Sequence, residues 1–142
     1  MKINYKIICF VILAIFQSSC NDKCEIKGIE VSDLLSTVSK EKYHINYCDL
    51  LESALNGEDK DIEKISLLHF GDGTSYDHGE VLIHLIYNIG EDKYLNAIKN
   101  VSKQDRKRLN SYFESGLLYG DLFYGKNLDS VFPKLSKFLQ NE

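Results

Sequence analysis

Residues able to do chemistry concentrate in one segment of this chain. Between Phe70 and Glu80 stand three glycines, three acids and a histidine, with His69 just before and His84 just after. Carboxylate oxygens and imidazole nitrogens are the donors that divalent cations take. On a helical wheel Asp77, Glu80 and His84 fall within about 60° of one another. With Asp72 they would form a mixed oxygen and nitrogen donor set, so one expectation is a metal-binding protein or metal-dependent hydrolase built on residues 69–84. A second is a loop that contacts a protein or ligand through Asp72, Tyr76, Asp77, His78, Glu80 and His84. The preferred reading of the segment is structural. Asp77 as N-cap with Glu80 three residues on makes a capping box for a helix over roughly 78–89. His84 then lies on its polar face, and Gly71 and Gly73 supply positive φ in the link before it.

Other catalytic signatures are missing from the sequence. Asp72-Gly73-Thr74 begins like a calcium loop, but Ile83 stands where the twelfth-position glutamate belongs. HExxH, GxSxG, the P-loop and the dinucleotide fingerprint do not occur. His44 and Cys48, four apart, read as helix neighbours rather than a nucleophilic dyad. No catalytic residue, metal or cofactor is therefore assigned, and a non-enzymatic role is expected.

The elements that must position these residues are helices. Apolar residues recur at helical spacing along nearly the whole body. Ser32 caps a short helix carrying Leu34, Leu35 and Val38. Tyr47, Leu50, Leu51, Ala54 and Leu55 form the stripe of a second, closed by Asn56-Gly57. A third runs through Ile62, Ile65, Leu68 and His69. The fourth carries Val81, Leu82, Leu85, Ile86 and Ile89 and stops at Gly90; Ile83 and Tyr87 widen its apolar arc, which predicts neighbours on two sides. Tyr94, Leu95, Ile98 and Val101 mark a fifth. The sixth starts at Ser102, with Asp105 completing a capping box, and runs through Leu109, Tyr112, Phe113 and Leu117 to Gly120. In the last, Leu128 to Leu139, Pro133 marks a first turn. The expected fold is all-α, with antiparallel hairpins of about six to seven helices. Gly57-Glu58-Asp59-Lys60 recurs as Gly90-Glu91-Asp92-Lys93, which fits either a small solenoid-like array or the shared chemistry of tight helix links.

The N-terminus reads as an address. Lys2 and Lys6 precede the apolar run Ile7 to Phe16, which is about half the length needed to span a bilayer. Gln17-Ser18-Ser19-Cys20 resembles the lipobox of bacterial lipoproteins, with Gln17 departing from the usual aliphatic residue. The resemblance implies that residues 1–19 are removed, that Cys20 is acylated, and that the protein sits in the bacterial cell envelope as a periplasmic or surface lipoprotein. An ordinary signal releasing a secreted soluble protein is the alternative. Residues 20–28 are expected to be a tether and 29–142 a single helical domain.

Removing Lys2 and Lys6 leaves 15 basic against 21 acidic side chains, a formal charge of −6. That argues against nucleic-acid binding, which needs an excess of Lys and Arg. The run Lys103-Gln104-Asp105-Arg106-Lys107-Arg108 reads as a solvated helix face. Of four cysteines, Cys9 leaves with the signal and Cys20 takes the lipid. Cys24 and Cys48 then either form a disulfide, worth about 3 kcal/mol for a loop of roughly this length, or leave Cys48 as a free buried thiol beside Leu51 and Leu55. The expected role is a membrane-tethered protein-interaction module with an unknown protein partner. A toxin-immunity protein is one form, by analogy of size and address. Tyr76, Tyr119 and Tyr124 are candidate anchors.

Overall fold

A computed structural model describes residues 24–140. The signal-like segment, Cys20 and the first residues of the expected tether lie outside the described residues. Among the described residues the fold is all-α but for one small hairpin: β1 (Cys24–Ile26) and β2 (Ile29–Val31) precede α1 (Asp33–Tyr43), α2 (Tyr47–Leu55), α3 (Asp59–Ser66), α4 (Asp72–Ile89), α5 (Glu91–Ile98), α6 (Lys103–Tyr119), α7 (Leu128–Val131) and α8 (Pro133–Gln140).

The hairpin corrects the expected tether, because residues 24–28 are strand and turn. Cys24 pairs with Val31, Glu25 with Glu30 and Ile26 with Ile29. Lys27 and Gly28 both take positive φ (51° and 79°), the backbone that a two-residue hairpin turn requires. Ile29 and Val31 are buried while Glu30 faces out. Cys24 and Cys48 are joined by a disulfide, with Cα atoms 6.2 Å apart, which fastens β1 to the first turn of α2.

Local signals account for most helix ends. Ser32 Oγ accepts from the Leu35 amide (3.1 Å), and Asn46 Oδ1 accepts from the Cys48 amide (3.1 Å). Ser102 Oγ accepts from the Asp105 amide (3.1 Å). Each bond satisfies one of the orphan donors of a helix start. Gly57 and Gly90 take φ of +89° and +87° at the two Gly-Glu-Asp-Lys links, but the turns differ: the next helix starts at Asp59 with Glu58 as N-cap in the first, and at Glu91 with Gly90 as N-cap in the second. α3 ends at Ser66 rather than His69, and the last element splits at Phe132, with Pro133 opening α8.

Helices pack both on their chain neighbours and on helices further along the chain. α2 packs on α3, α4 on α5 and α6 on α8, while α3 touches α5 and α5 touches α8. Lys93 Nζ reaches Asp59 Oδ1 (2.6 Å) and Lys134 Nζ reaches Asp92 Oδ1 (2.7 Å), so the two equivalent aspartates each bond to the next layer. α4 has the expected neighbours on more than one side, α2 and α6 among them. Ile83 is buried accordingly, but Tyr87 is exposed. The closest pairing is α4 with α6, where Gly79 lies against Gly116. A Cβ at Gly79 would stand 2.1 Å from the Tyr112 carbonyl oxygen, and one at Gly116 would stand 2.5 Å from Gly79 C. The two backbones are in direct contact.

Candidate functional site

α4 begins at Asp72, so the segment expected to be a loop is two turns of helix. Gly71 is the N-cap, with extended backbone (φ −122°) and no side-chain cap bond, and Gly73 lies within the helix. The residue with positive φ is Asp72, at 48°. Asp77 therefore caps nothing; its Oδ2 accepts a hydrogen bond from the Ser32 hydroxyl, the group that caps α1. Gly73, Thr74 and Ser75 are weak helix formers, which is why the local pattern reads as loop. Burial of Thr74 and His78 on one face overrides that preference.

His78 proves to be a core residue rather than a ligand-loop residue. It is fully buried, with Nδ1 2.7 Å from the Tyr47 hydroxyl and its ring 4.7 Å from Phe70 and 5.0 Å from Tyr112 between centroids. Its Nε2 has no hydrogen-bond partner. Burial, reinforced by the positive charge of Arg108, lowers its pKa from 6.5 to about 3, so the ring stays neutral. Asp72 is not brought to the other donors either. Eight residues of helix put it about 12 Å along the axis from Glu80.

What the fold does bring together is Glu80, His84 and Asp121. Glu80 and His84 are one turn apart on α4, and Asp121 follows Gly120, the residue that closes α6. One donor atom from each of the three lies within 4.8 Å of the other two. His84 Nε2 is 3.1 Å from Asp121 Oδ1, and the Asp121 amide donates to Glu80 Oε1 at 3.3 Å. Gly120 makes room for this arrangement, because a Cβ there would stand 2.4 Å from the Gly116 carbonyl oxygen and 3.1 Å from Glu80 Cγ. Sequence reasoning misses Asp121. It sits far along the chain in an irregular segment, and only its place after a helix-closing glycine hints at a defined position.

These three residues share a concavity of about 390 Å³ with Glu25, Glu30 and Asp77, where the hairpin, α4 and the end of α6 meet. No lysine or arginine is among the described residues lining it. No protein-family model fits the chain, and neither the curated proteins nor the solved structures contain a significant match.

An aromatic pair borders the acidic concavity. Tyr76 and Tyr119 make a tilted ring contact, with centroids 4.8 Å apart and planes at 51°, yet remain 44% and 62% exposed. Tyr76 lies one turn before Glu80 on α4, and Tyr119 immediately precedes Gly120-Asp121. Tyr124 is more exposed still, in the segment that follows α6. The arrangement offers carboxylates and an imidazole to a cation, and π faces to a cation or an apolar group. No helix among the described residues is long and apolar enough to cross a membrane.

Proposed function

We propose that this protein is a non-enzymatic interaction module of the bacterial cell envelope, held to the membrane by lipid on Cys20. In this reading it binds another protein through the Tyr76–Tyr119 face and the acidic concavity beside it. The observation that carries the reading is that juxtaposition: two exposed tyrosines in ring contact, next to a basin of carboxylates. Tyrosine anchors bring large contact area at small entropic cost, and a carboxylate rim selects a partner with Lys or Arg around its own anchor. The immunity partner of a toxin is one concrete form.

A lipid on Cys20 would constrain the geometry strongly. Only three residues lie between Cys20 and Cys24, and the four steps of chain reach at most about 14 Å. Cys24 is itself fastened to α2. The hairpin, which supplies Glu25 and Glu30 to the concavity, would then face the membrane-proximal side.

Two measurements test the reading. Fatty-acid labelling should be lost in Cys20→Ser. Co-purification with the product of the adjacent gene should be lost in Tyr76→Ala/Tyr119→Ala while that variant remains folded. Absence of such a partner, together with no toxin sensitivity on deletion, would sink the proposal.

A further inference from the structure

We infer that Glu80, His84 and Asp121 bind a divalent first-row transition cation, with zinc as the probe. The donor set is mixed, one imidazole nitrogen and two carboxylates, and it comes from α4 and from the residue that follows the C-cap of α6, two helices that pack backbone to backbone. Four-coordinate zinc holds N and O donors at about 2.0–2.2 Å, which places neighbouring donors about 3.4 Å apart. His84 Nε2 and Asp121 Oδ1 are already 3.1 Å apart, and the widest separation in the set is within 4.8 Å. Closing that gap needs side-chain rotation alone. Asp121 is 82% exposed at its side chain and Glu80 has three side-chain torsions, so the α4 backbone that carries Glu80 and His84 need not move.

Three further features favour a cation at this position. The Asp121 amide holds Glu80 Oε1, which orients the carboxylate and leaves its other oxygen to ligate. Asp77 shares the concavity and bonds to the Ser32 hydroxyl, and Asp77, Glu80 and Asp121 form no ion pair with Lys or Arg among the described residues. A divalent cation would relieve their mutual repulsion. His84 Nε2 is the nitrogen that faces Asp121. Binding takes the neutral ring with its proton on Nδ1, so that Nε2 offers a lone pair in place of the hydrogen shared with Asp121.

The choice of cation follows from the donors. Calcium takes six to eight oxygens, whereas imidazole with carboxylate suits zinc, cobalt or nickel. Three protein donors leave a coordination position to water. The donor set also differs from the one the sequence suggests, since Asp72 and Asp77 give way to Asp121. This inference does not depend on the protein-partner reading, and it is tested on the protein alone.

The test is a calorimetric titration of tag-free, chelator-treated protein with zinc chloride. One equivalent should bind to the wild type. His84→Ala and Asp121→Asn should each weaken affinity by at least about tenfold, and Asp72→Asn should leave it unchanged. At equal concentration zinc should raise the melting temperature of the wild type more than that of Asp121→Asn, a surface change that leaves the core intact even if His84→Ala folds poorly. The inference is overturned if no stoichiometric zinc binds, if Asp121→Asn binds as tightly as wild type, or if calcium binds equally well.

Discussion

Gly79→Ala is the substitution most exposed to refutation, because two sizeable effects oppose each other there. An alanine in the interior of a helix is intrinsically preferred over glycine by about 1 kcal/mol. Against that, the new methyl group would sit 2.1 Å from the Tyr112 carbonyl oxygen, 3.0 Å from its carbon and 3.1 Å from the Gly116 nitrogen. All three atoms are backbone, so no rotamer change clears the space, and α4 and α6 must part by about 1 Å. Their contact is the most extensive between any two helices of the described residues. Overpacking of a tight contact costs about 1–3 kcal/mol and occasionally more; with backbone on both sides the upper end applies. Subtracting the propensity gain leaves a net loss of about 2 kcal/mol. Gly73→Ala is the matched control in the same helix, since nothing lies within 4 Å of a Cβ there. It should be neutral or stabilise by up to about 1 kcal/mol. Urea denaturation followed by far-ultraviolet circular dichroism, with the disulfide intact, reads both as changes in midpoint at constant slope. Gly79→Ala at or above wild-type stability would refute the close crossing. Glu80 and His84 ride on α4 while Asp121 follows α6, so the same displacement should also weaken zinc binding in the folded variant.

Two further predictions concern the core and the hairpin. His78 has a folded-state pKa of about 3 because it is buried, against 6.5 when unfolded. The unfolded chain therefore binds more protons between these values. The contribution of neutral His78 is complete above pH 6.5 and is lost as pH falls toward 3, by about 5 kcal/mol in full and about 3 kcal/mol at pH 4.5. His78→Gln should flatten this limb of the stability profile, and an unchanged acid limb in that variant would contradict the burial argument. Cys48→Ser should cost about 3 kcal/mol through a cross-linked loop of 24 residues. It should also raise amide exchange in Cys24–Val31 first; protection of the hairpin equal to wild type would show that the disulfide does not hold it.

Legibility in the sequence tracked how local each signal was. Ser32, Ser102, Gly57 and Gly90 act within one turn of chain, and each sits where its local chemistry predicts a cap or a link. Ser102 and Asp105 show how far that goes. The cap bond forms, but the Asp105 carboxylate meets the Ser102 hydroxyl (2.6 Å) and Arg108 (2.5 Å). The run containing Arg108 is accordingly not all solvated face: Arg106 lies over the Phe138 ring at 4.5 Å. The strands went unread because three residues of alternation on each side are too few to distinguish from a linker, and Lys27-Gly28 is a weaker turn signal than Asn-Gly.

The sequence by itself determined the helical class, the apolar stripes and most helix boundaries, because periodicity is written in residues three and four apart and caps bond within one turn of chain. Only the tertiary structure decided what lies on the surface near α4. Residues 72–77 became helix because Thr74 and His78 had a core to enter, which took His78 out of the candidate site. Gly79 and Gly116 let α4 and α6 touch, and Gly120 let Glu80 lie beside Asp121, so a donor set assembled from residues 37 and 41 positions apart. Contacts at such separation leave no periodic trace in sequence. Their energy is realised only when two helices meet, and the residue that permits the meeting is a glycine with no side chain to announce it.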